Sequence, residues 1–196
     1  MTILLAMALY AFSMSITPGP TNIVLLSTGA NHGFLKAVPF ATGSAIGFTV
    51  LNIIVGLGIG TLISKNGIFM TVVSYFGAAF IIYMGVKVAT SSSEIKVADK
   101  NSKAPGFLLG FVGSWLNPKA WIAVVAGVSA FNLGRDYVEL AIYVSIYVVV
   151  GYLSILTWAY AGSRIAYLLT CARNMRYFNL TMGGGLIIIA LYLVSI

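Results

Sequence analysis

Thr17-Pro18-Gly19-Pro20-Thr21-Asn22 decides how this chain folds, together with Leu116-Asn117-Pro118-Lys119-Ala120 half the chain later. Each stretch interrupts a long apolar run that would otherwise read as one unbroken helix. Proline removes a backbone donor and clashes with the carbonyl one turn earlier, so the helix must open there. In hydrocarbon nothing would satisfy the freed groups. Such breaks are tolerated only where they are packed in protein or line a polar cavity, and breaks at matching positions of two halves point to a transport site.

Working outward, the chain of 196 residues is 60% hydrophobic and 8% charged, with a mean hydropathy of +1.00. That composition excludes an ordinary soluble domain. Apolar windows long enough to cross a bilayer predict six spans near 3–28, 37–61, 68–88, 107–131, 139–162 and 179–196. Alternation at period two is absent, which excludes a β-barrel reading. The first window has no basic residue before Lys36 and is too long for a cleaved leader, so it is kept as helix 1. The fold expected is therefore all-α and polytopic.

Three spans per half is an odd number, so the second half enters the membrane from the opposite side. The expectation is two inverted three-helix repeats, 1–90 and 106–196, with helices 1 and 4 broken, forming one transmembrane domain. The polar segment 91–105 joins them as a cytoplasmic linker. With the N-terminus outside, Lys36, Lys87, Lys96, Lys100, Lys103, Arg164, Arg173 and Arg176 fall on inner segments, against Lys65 and Arg135 outside. Cations favour the cytoplasmic face, so both termini are expected outside. The net charge of +7 is scattered between spans and is not a nucleic-acid surface. Arg164 to Tyr177 reads as an interfacial amphipathic turn or short helix that meets lipid phosphates.

A zwitterionic solute would need a positive end for its anionic group and acceptors for its cationic one. Broken helices offer both: free amides where a half-helix starts, free carbonyls where one stops. Thr17, Pro18, Gly19, Pro20 and Asn22 at the first break, and Asn117, Pro118 and Lys119 at the second, are the expected substrate-binding residues. Asn52, Tyr83, Ser114 and Trp115 are further candidates for the cavity wall. Asn22 and Asn117 have a plainer alternative, satisfying the broken backbone from behind. Lys119 has three readings: a carboxylate partner, a proton-coupling group, or a chain that snorkels to the interface. Trp115, Trp121 and Trp158 read first as packing or interfacial anchors.

These residues resemble the LysE family of amino-acid exporters, also called the lysine exporter or RhtB type. The resemblance rests on Thr17-Pro18-Gly19-Pro20, Gly33, Gly43, Gly77-Ala78-Ala79-Phe80 with Tyr83 and Gly85, and Leu116-Asn117-Pro118-Lys119-Ala120, and it runs almost end to end. Asn31-His32-Gly33-Phe34 is most similar to the exporters of cysteine and O-acetylserine. Membership implies a bacterial cytoplasmic membrane location and export driven by the proton gradient. Members that move lysine and arginine carry carboxylates in helix 2 and after the helix 4 proline; the matching positions here are Ile46 and Ala123. A small neutral amino acid is the substrate that this departure implies.

Competing classes fare worse. A divalent metal-ion exporter of a related six-helix fold needs several anionic oxygens, and the uncharged windows hold none. A thiol-disulfide carrier needs paired cysteines, and Cys171 stands alone. An intramembrane enzyme built on Ser114 or Ser163 would want a histidine within a span. No enzyme activity, metal or other cofactor is therefore expected; the partners are the amino acid, a coupling proton and lipid. Glycines at four-residue spacing, Gly43 with Gly47, Gly56 with Gly60 and Gly106 with Gly110, allow close helix packing within the chain or across a homodimer.

Overall fold

In the computed structural model, described over residues 2–58, 67–91, 103–133, 136–169 and 171–195, every regular element is a helix. They are α1 (Thr2–Ile16), α2 (Pro20–His32), α3 (Phe34–Gly56), α4 (Gly67–Ala89), α5 (Phe107–Trp115), α6 (Pro118–Ala130), α7 (Tyr137–Ile165) and α8 (Ala172–Ser195). The helices α1 and α2 meet at 62° across the Pro18 break, and α5 and α6 meet at 62° across the Pro118 break. Among the described residues three helices are each long and apolar enough to cross a membrane, or up to five if each bent pair is one span. Lys65, Arg135 and most of the 91–105 linker lie outside the described residues.

Local chemistry explains where these helices start and stop. Pro20 and Pro118 each occupy the first turn of their half-helix, where a missing N–H costs nothing. Asp136 caps α7, its carboxylate accepting from the Val138 N–H at 2.7 Å. Gly33 sits at φ 85 between α2 and α3, a backbone region that other residues rarely adopt. In the Arg164–Tyr177 stretch, Ala166, Tyr167 and Leu168 form a turn after α7, which runs on to Ile165, and α8 already begins at Ala172, so Arg173 and Arg176 belong to a 24-residue helix.

Packing is tightest for α3 with α5, α4 with α8 and α2 with α7. Reciprocal glycines make each approach possible. A Cβ on Gly43 would run into the Phe107 carbonyl, and one on Gly110 into that of Phe40. Gly29 and Gly162 stand in the same relation to the Ala159 and Leu26 carbonyls, and Gly85 and Gly183 to each other. The glycine faces at Gly43, Gly47, Gly56 and Gly110 thus pack within the chain.

Two apolar clusters divide the interior by height. One gathers Met7, Leu51, Trp121, Val124 and Tyr143 from α1, α3, α6 and α7. The other gathers Leu25, Phe40, Met84 and Leu186 from α2, α3, α4 and α8. Both helix breaks lie between them, at mid-height of α3 and α7. The outer surface is greasy, with Leu5, Phe76, Ile122, Leu153 and Ile188 all well exposed, as a lipid-facing belt would be. Charge divides the ends: His32, Lys87 and Lys103 gather at one, and Asp136 and Glu139 open α7 at the other.

Candidate functional site at the two helix breaks

Four consecutive carbonyls at the end of α1 lose their helical partners, and side chains replace them. Asn22 Nδ2 donates to the carbonyls of Ser15 and Thr17, both at 2.9 Å. Trp158 Nε1 donates to Ile16 at 3.2 Å. Lys119 Nζ crosses from the second break to donate to Thr17 at 2.7 Å and Pro18 at 3.3 Å. At the second break Trp121 Nε1 donates to the Trp115 carbonyl at 2.8 Å, and Asn117 Oδ1 accepts from the Lys119 N–H at 3.1 Å. Trp121 and Trp158 are therefore donors to broken backbone as well as packing groups, which their sequence context did not indicate.

The breaks are not equivalent. Asn117 caps α6, whereas Gly19, at the matching place before α2, offers no side-chain cap. Ile23 N–H closes the first helical bond of α2 onto Gly19, so the Thr21 and Asn22 N–H groups ahead of it fall outside the intrahelical ladder. Gly19 is in extended conformation, and a Cβ there would lie 3.1 Å from Lys119 Cδ and 3.2 Å from Nζ. The absent side chain is what lets the lysine lie against this backbone.

A cavity of about 90 Å³ opens onto these groups. By volume it has room for roughly six to nine waters, the size of a small amino acid in heavy atoms. Gly19, Thr21, Asn22, Asn117 and Lys119 form its polar side, and Ser15, Ser44 and Ser114 add hydroxyls. Ser114 donates to the Ser44 carbonyl at 2.8 Å, tying α5 to α3 beside it. Phe48 and Tyr147, stacked at 4.7 Å between centroids, join Met14, Ala45 and Ile155 as the apolar side. Among the described lining residues none is Asp or Glu.

Of the residues expected from sequence, Gly19, Asn22, Ser114, Asn117 and Lys119 come together on this wall. Thr17 and Pro18 stand behind it, contributing carbonyls to Lys119, and Pro20 lies on a smaller neighbouring cavity with Thr21 and Asn117. Pro118 is buried as the first residue of α6. Trp115 packs edge-on against Trp121. Asn52 is buried one turn beyond Phe48, donating to its carbonyl. Tyr83 is 46% exposed and carries Lys87 over its ring. Ala123 lines the cavity, while Ile46 is 44% exposed on the outside of α3. Ser15, Ser44, Phe48, Tyr147 and Tyr152 had no motif around them to mark them.

The family model for the LysE type translocator matches residues 12–195. The chain belongs to the LysE family. A cysteine/O-acetylserine efflux protein of Salmonella choleraesuis (strain SC-B67) is 30% identical to this LysE member over 169 residues, covering 83% of this chain and 84% of the relative. A leucine efflux protein of Enterobacter sp. (strain 638) is 32% identical over 145 residues, covering 67% of each. A homoserine/homoserine lactone efflux protein of Salmonella typhimurium is 26% identical over 188 residues, covering 93% and 91%. No solved structure matches the chain.

Proposed function

We propose that this LysE family member is a secondary-active exporter of small neutral amino acids or their derivatives. It works by alternating access around the cavity between the two breaks. The observation that carries the reading is Lys119 Nζ, placed by one broken helix against the carbonyl end of the other and onto the cavity wall. Two of its three N–H bonds are directed at Thr17 and Pro18, and the third is left for a ligand. With the Thr21 and Asn22 amides at the positive end of α2, it forms a seat for a carboxylate.

The rest of the zwitterion follows. Ser15 and Tyr147 hydroxyls and the ring faces of Phe48 and Tyr147 suit the ammonium. Ala45, Met14 and Ile155 suit an uncharged side chain. A second cationic group would face Lys119 without a carboxylate to pair it, and in low dielectric an unpaired charge is costly. A divalent metal ion, the alternative cargo, would meet the same ammonium. The substrates in the relatives' names are cysteine, O-acetylserine, leucine, homoserine and homoserine lactone, four neutral amino acids and one cyclic ester of an amino acid.

The remaining parts of the proposal concern the frame: six spans in two inverted halves, termini outside, a bacterial cytoplasmic membrane, and the proton gradient as driving force. The basic end at His32, Lys87 and Lys103 supports that orientation. The deciding experiment loads cells with dipeptides of single amino acids and compares efflux with and without the protein. Faster efflux of neutral amino acids is expected. Protection against divalent cations alone would replace this reading with metal export.

A further inference from the structure

The central cavity is one of three in series along a single face of α2. A constriction of about 10 Å³ shares Thr21 and Asn117 with the central cavity and is walled by Val24, Phe40, Phe80, Ile81 and Leu186. It shares Met84 with a third cavity of about 60 Å³ at the C-terminal end of α2. Thr21, Val24, Thr28 and Asn31 follow the three- and four-residue spacing of one helix face, so α2 forms a common wall for all three. Phe80 closes the middle, its ring lying where a Cβ on Gly113 would come within 3.1 Å.

The third cavity differs in character from the apolar neck. Ser27, Thr28 and Asn31 supply polar groups, and His32, Lys87 and Lys103 come to it from three separate segments, with no carboxylate among its described lining residues. Lys87 and Lys103 are exposed to solvent, and neighbouring cations at a cleft concentrate anions there. An amide pair holds the floor: half-buried Asn31 and buried Asn179 donate to each other at 2.8 and 2.9 Å.

We infer that this basic pocket is a vestibule site that captures the amino acid by its carboxylate before it passes the Phe80–Met84 neck to Lys119. Continuity with the central cavity selects the amino-acid carboxylate over a lipid phosphate as the anion. The inference rests on the exporter reading for its ligand, and on the three cavities for its place.

The test uses the full chain in phosphatidylcholine vesicles, which carry no net headgroup charge, with Cys171→Ser and a reporter thiol at Ser27→Cys. Thr28→Cys replaces the reporter if the first variant does not insert. Relative to a free thiol in the same buffer, reaction with an anionic methanethiosulfonate should exceed that with a cationic one by roughly 3- to 10-fold at low ionic strength, and less in high salt. Lys87→Gln with Lys103→Gln should bring the ratio close to unity, and L-homoserine or L-leucine should slow the anionic reagent. Equal rates, an unreactive thiol, or a ratio that survives the double substitution would overturn the site. Slowing by added phosphatidylglycerol and not by either amino acid would assign it to lipid, which also overturns it. Efflux of the same amino acids is measured in parallel. A charge preference without efflux removes the exporter reading and with it the amino acid as the pocket's ligand, leaving only an anion site; efflux without the preference removes the vestibule alone.

Discussion

Lys119 Nζ donates to the carbonyl of Thr17 at 2.7 Å, joining the start of one half-helix to the end of another across 102 residues of chain. A hydrogen bond from a charged donor contributes about 1.5–3 kcal/mol, and here it also leaves an ammonium on the cavity wall. Lys119→Met should lower thermal stability in detergent by about that amount and reduce amino-acid efflux at least ~10-fold. Wild-type efflux from a variant that is demonstrably inserted would remove the lysine from the site.

Gly19→Ala probes the same contact from the other side. The added methyl would stand 3.1 Å from Lys119 Cδ, closer than a relaxed carbon contact, so the lysine must shift. Efflux should fall several-fold. In a double-mutant cycle with Lys119→Met the losses should be strongly less than additive, because both changes displace one ammonium. Additive losses would mean that Gly19 acts independently of the lysine.

Asn117 is both cap and wall, and substitutions separate the roles. Asn117→Leu removes the acceptor for Lys119 N–H and should cost about 1 kcal/mol. Asn117→Asp keeps an acceptor there while placing a carboxylate on the cavity that is proposed to receive one. The aspartate variant should therefore retain stability yet lose efflux. Recovery of both would reduce Asn117 to a cap.

Glycines on opposite sides of the packing question should respond with opposite sign. Gly110→Ala forces a methyl into the Phe40 carbonyl, and such overpacking costs about 1–3 kcal/mol or more. Gly184→Ala in α8 meets nothing within 4 Å and should gain about 0.5–1 kcal/mol from helix propensity. Thermal unfolding of the purified protein reads both.

Cys171 is exposed at the turn into α8, the single thiol of the chain. With termini outside, a membrane-impermeant maleimide should label it in inside-out membranes and leave it unlabelled in intact cells. The reverse pattern would invert the proposed orientation.

The two breaks were legible because proline states its effect locally, but proline alone is not sufficient. Pro39 sits inside α3 near its first turns, and the helix runs through it. What separates Pro18 and Pro118 is their company: Gly19-Pro20 in one case, a capping Asn117 in the other. The site was readable only so far as its residues adjoined a break. Ser44, Phe48 and Tyr147 reach the cavity from unbroken helices, and nothing in their immediate neighbours distinguishes them from core. Asn52 and Tyr83 looked eligible by polarity alone. One is a turn too far along α3, and the other faces away from the interior, matters of axial position and of helix rotation that tertiary packing sets.

The Trp158 and Lys119 bonds to Ile16 and Pro18 have a further implication for biogenesis. Their donors are synthesised more than a hundred residues after the acceptors, so the nascent first hairpin leaves the ribosome unable to complete its own backbone. Until the fifth apolar segment arrives, those acceptors must stay near water or the insertion machinery, so the first break is completed only when the later helices pack on it.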